Sequence, residues 1–179
     1  MLSVNQRVPE MGFDVFHGGE IKKARLSDYK GKWLVMLFYP ADFTFVCPTE
    51  LTEAAGMYGE FKKSGAEILS VSTDTAFVHK AWHENSPLIK KVGYAMAADP
   101  GGRMCRAFGT YIEAEGLSTR ATFIIDPDGV VKSIEMHDNS IGRSSTETLR
   151  KLQAAKFVRE NDGHLCPASW KPGVETIRL

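Results

Sequence analysis

The sequence predicts an α/β layered domain, a central mixed sheet flanked by helices, with an irregular C-terminal tail. Three observations carry that reading. Short apolar runs suited to strands alternate with amphipathic stretches of helical period. The turn Asp126-Pro127-Asp128-Gly129 joins two strand-like runs and is too short for a crossover, so that pair must be antiparallel. Residues 161–179 are punctuated by glycine and proline and hold no sustained period. The boundaries therefore read as one domain over 1–160 and a tail over 161–179, and 179 residues suffice for a real core.

Taken in order, Gly12–Phe16 and Glu20–Ala24 read as strands around His17-Gly18-Gly19, and Leu26–Gly31 as a turn into the first core strand. Trp33–Tyr39 is apolar throughout, as in a strand covered on both faces. A helix follows Cys47, with Leu51, Ala54, Ala55, Tyr58 and Phe61 on one face, and ends near Ser64-Gly65. Glu67–Ser72 is the next core strand. Asp74 or Thr75 caps the helix after it, whose predicted apolar face is Phe77, Val78, Ala81 and Trp82. Tyr94–Ala98 is a third core strand, and a short helix runs from Met104 to Phe108. Ala121–Ile125 and Val130–Glu135 form the closing hairpin. Ser145–Arg159 is a long helix with Leu149, Leu152, Ala155 and Val158 inward. That order is compatible with a thioredoxin-like fold.

Charge and composition exclude some functions. Lysine plus arginine equal aspartate plus glutamate at 22 each, so no basic face for nucleic acid is expected. The longest apolar run, Trp33–Tyr39, is too short to cross a bilayer. Met1–Arg7 has no signal-peptide core, so the expected location is cytoplasmic. The cysteines are Cys47, Cys105 and Cys166, and none forms a C-x-x-C pair. Cys105 lies in a short apolar helix and reads as core. His79 and His83 stand four apart, a spacing that can bind metal, but no third ligand is evident and Trp82 beside them reads as packing. Asp99-Pro100-Gly101-Gly102 lacks the lysine of a phosphate loop.

The stretch around Cys47 is chemically distinctive. Pro48 suits a first helical position, which makes Cys47 the expected N-cap and puts Glu50 at the third helical residue, where an acid suits the helix dipole. A thiol facing unpaired backbone N–H groups ionises more easily. Lowering a free thiol by about three pK units takes roughly 4 kcal/mol. A helix N-terminus supplies only ~0.3–1 kcal/mol, at most ~2. A full cation must therefore stand nearby, and folding should bring an arginine to this cysteine.

The motif Pro40-Ala41-Asp42-Phe43-Thr44-Phe45-Val46-Cys47-Pro48-Thr49-Glu50 resembles that of a typical 2-Cys peroxiredoxin, of the alkyl hydroperoxide reductase C type. The resemblance extends through Ser72-Thr73-Asp74, His79-Lys80-Ala81-Trp82, Arg120-Ala121-Thr122-Phe123, Ile141-Gly142-Arg143 and Cys166-Pro167-Ala168. It implies a thiol peroxidase of antioxidant defence that needs no metal or organic cofactor. Cys47 corresponds to the peroxidatic cysteine, Pro40 to the residue shielding it from water, and Thr44 to the hydroxyl that bonds the thiolate and the peroxide. Arg120 corresponds to the arginine beside the thiolate, Arg143 to a second, outer arginine, and Cys166 to the resolving cysteine.

The resemblance further implies an antiparallel homodimer with an intersubunit Cys47–Cys166 disulfide, five dimers in a decamer, and a thioredoxin or flavoprotein disulfide reductase as electron donor. Neither nucleic acid nor membrane is implied as partner. Two departures from the overoxidation-sensitive members, no Gly-Gly-Leu-Gly insertion at Glu84–Leu88 and no C-terminal Tyr-Phe helix after Trp170, point to an enzyme resistant to overoxidation. A holdase-like ring is a competing function. A thioredoxin-type reductase is disfavoured by the missing C-x-x-C. Arg120 has a plain alternative as well, a salt bridge to Asp126 or Glu135.

Overall fold

The computed structural model describes residues 2–179. The chain runs through β1 (Gly12–His17), β2 (Glu20–Arg25), a 3-10 turn (Leu26–Tyr29), β3 (Trp33–Phe38), α1 (Cys47–Lys63), β4 (Ala66–Ser72) and α2 (Ala76–Asn85). A second 3-10 turn (Ile89–Lys91) leads to β5 (Ala95–Ala98), α3 (Arg103–Phe108) and the small hairpin β6 (Tyr111–Ile112) and β7 (Leu117–Ser118). The last part is β8 (Arg120–Ile125), β9 (Val131–His137), α4 (Ser145–Glu160), β10 (His164–Leu165) and β11 (Ile177–Arg178).

One mixed sheet of seven strands runs in the order β2-β1-β5-β4-β3-β8-β9. β3, β4 and β5 pair in parallel, while β8 lies antiparallel to β3 and β9 antiparallel to β8, as the short turn requires. β1 joins through β5, antiparallel, with β2 as its outer neighbour. Every residue of β3 is buried, which explains its unbroken apolar sequence. The two sheet faces carry separate cores. Val35, Leu37 and Tyr39 pack under Leu51 and Phe61 of α1 and Leu152 of α4. Met36 and Phe38 pack with Phe108 of α3 and Phe123.

Three sequence expectations need correction. Val46, not Cys47, is the N-cap of α1: it is already helical at φ −80°, ψ −38°, and its carbonyl takes the N–H groups of Thr49 and Glu50. Cys47 thus sits inside the first turn, and Pro48 and Glu50 each fall one place later than predicted. In α2 the inward residues are Ala76, His79 and Trp82, whereas Phe77 is 75% exposed. Thr75, one of the two expected caps, accepts from Val78 N–H. In α4, Leu152 is buried as expected but Val158 is 42% exposed.

Candidate active site

The site forms where β3 ends and α1 begins. β8 runs antiparallel to β3 with Ala121 opposite Phe38, so Arg120, the first residue of β8, arrives beside the segment that follows β3. Register alone thus carries an arginine to the cysteine across 73 positions of sequence. Cys47 is fully buried, and the Arg120 Nη1 lies 3.2 Å from its sulfur. This is the cation the magnitude argument required. The same Nη1 donates to Glu50 Oε2 at 2.7 Å, and Arg120 Nε donates to the Asn139 carbonyl at 2.9 Å. The alternative pairing of Arg120 with Asp126 or Glu135 is not the one formed; those carboxylates pair with Lys132, Arg159, Lys151 and His137.

Glu50 is the buried hub. Arg143 donates to its Oε1 from the backbone N–H at 2.9 Å and from Nε at 3.0 Å, and to Oε2 from Nη2 at 3.1 Å. Arg143 Nη1 also donates to the Ala121 carbonyl, which ties the β9–α4 loop to β8. Burial pushes the Glu50 carboxyl up, but the Arg143 charge and hydrogen bonds, joined by Arg120, outweigh that and hold it below the ordinary carboxylate range. The sequence assigned Glu50 to the helix dipole; its larger role is bridging two guanidinium groups 23 positions apart, which only tertiary structure reveals.

Pro40 is buried two residues past the end of β3. Thr44 is half-buried, and its hydroxyl donates to the Ala41 carbonyl at 2.8 Å. Between them Phe43 adopts φ +55°, a left-handed conformation that a bulky residue occupies only when its surroundings enforce it. Asp42 provides the enforcement. Its carboxylate accepts from the Tyr39 hydroxyl at 2.6 Å and meets His79 Nδ1 at 2.7 Å. Its backbone N–H donates to Asp74, which also accepts from the Ser72 hydroxyl. His79 Nε2 is spent on the Ala97 carbonyl at 3.1 Å, and His83 Nε2 on the Val92 carbonyl. Both histidines are therefore structural. Burial pushes the Asp42 carboxyl up, against the pull of His79 and Tyr39. Sequence reading missed this network, although Asp42 between Pro40 and Thr44 was its visible trace.

Cys166 follows β10 and is half-buried, its sulfur 3.8 Å from the Ala154 carbonyl of α4. It is a free thiol, as is Cys47, and it shares none of the hydrogen bonds around Cys47. Cys105, on α3, is fully buried, and its thiol is pushed up to about 12, first by burial and then by the Asp99 charge. That is a core thiol, as read from the sequence. Among the described residues, no helix is long and apolar enough to cross a membrane.

Comparison with known proteins bears on the same residues. The profile of the AhpC/TSA family matches residues 4–134. The chain is 46% identical over 177 residues to an alkyl hydroperoxide reductase C of Pseudomonas aeruginosa, covering 99% of this chain and 95% of the relative. It is 53% identical over 152 residues to the alkyl hydroperoxide reductase C of Amphibacillus xylanus, covering 85% and 81%. Among solved structures, Enterococcus faecalis AhpC superposes with a TM-score of 0.90 at 43% identity, covering 93% of this chain and all of the other. The reduced 2-Cys peroxiredoxin of Plasmodium vivax gives 0.92 at 27% identity, covering 97% and 91%.

Proposed function

The chain belongs to the AhpC/TSA family and is a peroxiredoxin, a thiol peroxidase that reduces peroxides, and on that premise we propose that Cys47 attacks the peroxide and Cys166 resolves the product. The observation that carries this reading is the charge count around Cys47. Arg120 and Arg143 bring two positive charges and Glu50 one negative, all at 4% side-chain exposure. An uncompensated buried charge is costly. That surplus of positive charge stands at the Cys47 sulfur, 3.2 Å from Arg120, where attack on the peroxide moves negative charge.

The chemistry follows. The thiolate displaces one peroxide oxygen, the O–O bond breaks, and the departing oxygen takes a proton to leave as water or an alcohol. Arg120 donates a hydrogen bond to charge as it moves onto that oxygen, Thr44 does so once its hydroxyl turns from the Ala41 carbonyl, and Pro40 keeps water from the sulfur. Cys47 becomes a sulfenic acid, the first reversible stage of thiol oxidation. Cys166 of a second copy condenses with it, releasing water, and an external dithiol, thioredoxin or a flavoprotein disulfide reductase, reduces the resulting disulfide by exchange.

The two cysteines divide the chain into a catalytic domain over 1–160 and a resolving tail over 161–179. The working unit is a dimer that assembles to a decamer in the cytoplasm. Phe43, Phe45 and Phe77, exposed at 58%, 94% and 75%, support association beyond one chain. The test is one equivalent of hydrogen peroxide on the reduced full-length protein, read by non-reducing electrophoresis and peptide mass mapping. A covalent dimer joined Cys47 to Cys166, absent from Cys47→Ser and from Cys166→Ser, is expected. A disulfide within one chain, or one through Cys105, would overturn the pairing.

A further inference from the structure

Cys166 sits in a groove lined by four cationic side chains, each paired with a carboxylate outside the lining. The groove, of about 560 Å³, runs between β9 and α4, and its lining includes Lys132, Arg150, Lys151 and Arg159 but no carboxylate. Lys132 pairs outside the lining with Asp126, Arg159 with Asp126 and Asp128, and Lys151 with Glu135 and Glu147. His164, two residues before the cysteine, turns its ring to Phe157 and to the Thr176 hydroxyl.

Arg150 differs from the other three cations in what it holds. Glu147, three residues back on α4, grips its Nε and Nη2 at 2.7 Å each and fixes the plane of the guanidinium. Its remaining Nη1 donates to the Trp170 carbonyl at 2.9 Å. It therefore touches the tail on the far side of Cys166. One helical turn along the same face lies Ala154, whose carbonyl contacts the Cys166 sulfur. α4 and the tail thus hold the thiol in one groove with a guanidinium of fixed orientation.

We infer that Arg150 is a positioning residue for the resolving step, its charge favouring the Cys166 thiolate that attacks oxidised Cys47. The inference rests on the assignment of Cys166 as the resolving cysteine. In that step the Cys166 thiolate attacks the Cys47 sulfur, the S–S bond forms and the S–O bond breaks. The hydroxide takes a proton and leaves as water, so no outside oxidant is needed. The electrostatics agree: burial holds the Cys166 thiol above the ordinary thiol range, and the Arg150 charge acts against that.

The test follows the two phases after full-length reduced protein is mixed with hydrogen peroxide: oxidation of Cys47, then disulfide formation. The ratio of second-phase to first-phase rate is measured from pH 5.5 to 9 for wild type, Arg150→Gln and Arg150→Lys. The ratio should fall about 2–5-fold at pH 7 in Arg150→Gln, the size of a solvent-exposed charge effect. It should recover at alkaline pH and stay near wild type in Arg150→Lys. An equal loss at every pH would reduce Arg150 to a latch on Trp170 and overturn the inference, as would no loss at all. Should Arg150→Gln not fold, salt applies the same test to wild type: screening must slow the second phase at pH 7 and spare it at pH 9. Survival of the second phase in Cys166→Ser would instead strike the assignment of Cys166.

Discussion

Arg143 meets Glu50 through three hydrogen bonds, from its backbone N–H, Nε and Nη2 at 2.9, 3.0 and 3.1 Å, across 93 positions of sequence. The backbone contact fixes the loop, and the guanidinium contacts fix the carboxylate that in turn orients Arg120. Positioning of the cation at Cys47 therefore depends on a residue that does not touch the sulfur.

Glu50→Gln should be strongly destabilising. It removes the carboxylate that bridges two buried guanidinium groups, and breaking a buried pair on one side costs ~3–5 kcal/mol. Urea denaturation of the reduced protein measures this. A loss below about 1 kcal/mol, the size of an exposed pair, would show that the arginines find other partners.

Arg120→Met should slow oxidation of Cys47 by hydrogen peroxide about 10²–10³-fold, the usual effect of deleting one donor aimed at developing charge. Arg120→Lys keeps the charge but cannot reach the sulfur, Glu50 and the Asn139 carbonyl together, so its rate should fall between the two. Stopped-flow rates at one pH decide. Equal rates in wild type and Arg120→Met would remove Arg120 from the chemistry.

Acid should dismantle the Glu50 hub. Its carboxyl lies below the ordinary value of 4.5 in the folded protein, despite the opposing effect of burial. Its stabilisation is therefore complete above that value and lost as pH falls through the lower folded one. The stability difference between wild type and Glu50→Gln should be flat from pH 7 to 5 and shrink on further acidification. Denaturant midpoints taken across that range test it; a difference independent of pH would contradict the linkage.

His79→Leu leaves the buried Asp42 carboxyl with the Tyr39 hydroxyl alone and should cost ~1–3 kcal/mol. The double variant Asp42→Leu, His79→Leu should recover part of the loss, because an apolar pair carries no unpaired charge. Both variants should also slow Cys47 oxidation, since Phe43 at φ +55° and Thr44 depend on this anchor. Thermal unfolding and peroxide kinetics report the two effects separately, and strictly additive stability losses would deny the coupling.

What the sequence disclosed and what it hid follow one physical line. β3 and the closing hairpin were legible because apolar runs and a Pro-Gly turn are local signals. Cys47 was legible because its neighbours carry the motif, and the need for an arginine followed from magnitudes alone. The inward face of α2 was misread because His79 is buried through an acid 37 positions away, a compensation no helical period displays. The N-cap moved by one residue because Val46 is itself helical. The β6–β7 hairpin was missed because two-residue strands show no alternation. The tail was read as irregular, yet β10 pairs with β11 and Trp170 is buried against Phe157, contacts set by α4 rather than by the tail's own pattern.

The most direct measurement is the rate at which hydrogen peroxide oxidises the reduced protein in single-cysteine variants, followed by stopped-flow fluorescence at neutral pH. A fast phase first-order in peroxide should persist in Cys166→Ser and in Cys105→Ser and vanish in Cys47→Ser. A fast phase that survives the loss of Cys47 would mean that the buried sulfur beside Arg120 is not where peroxide reacts.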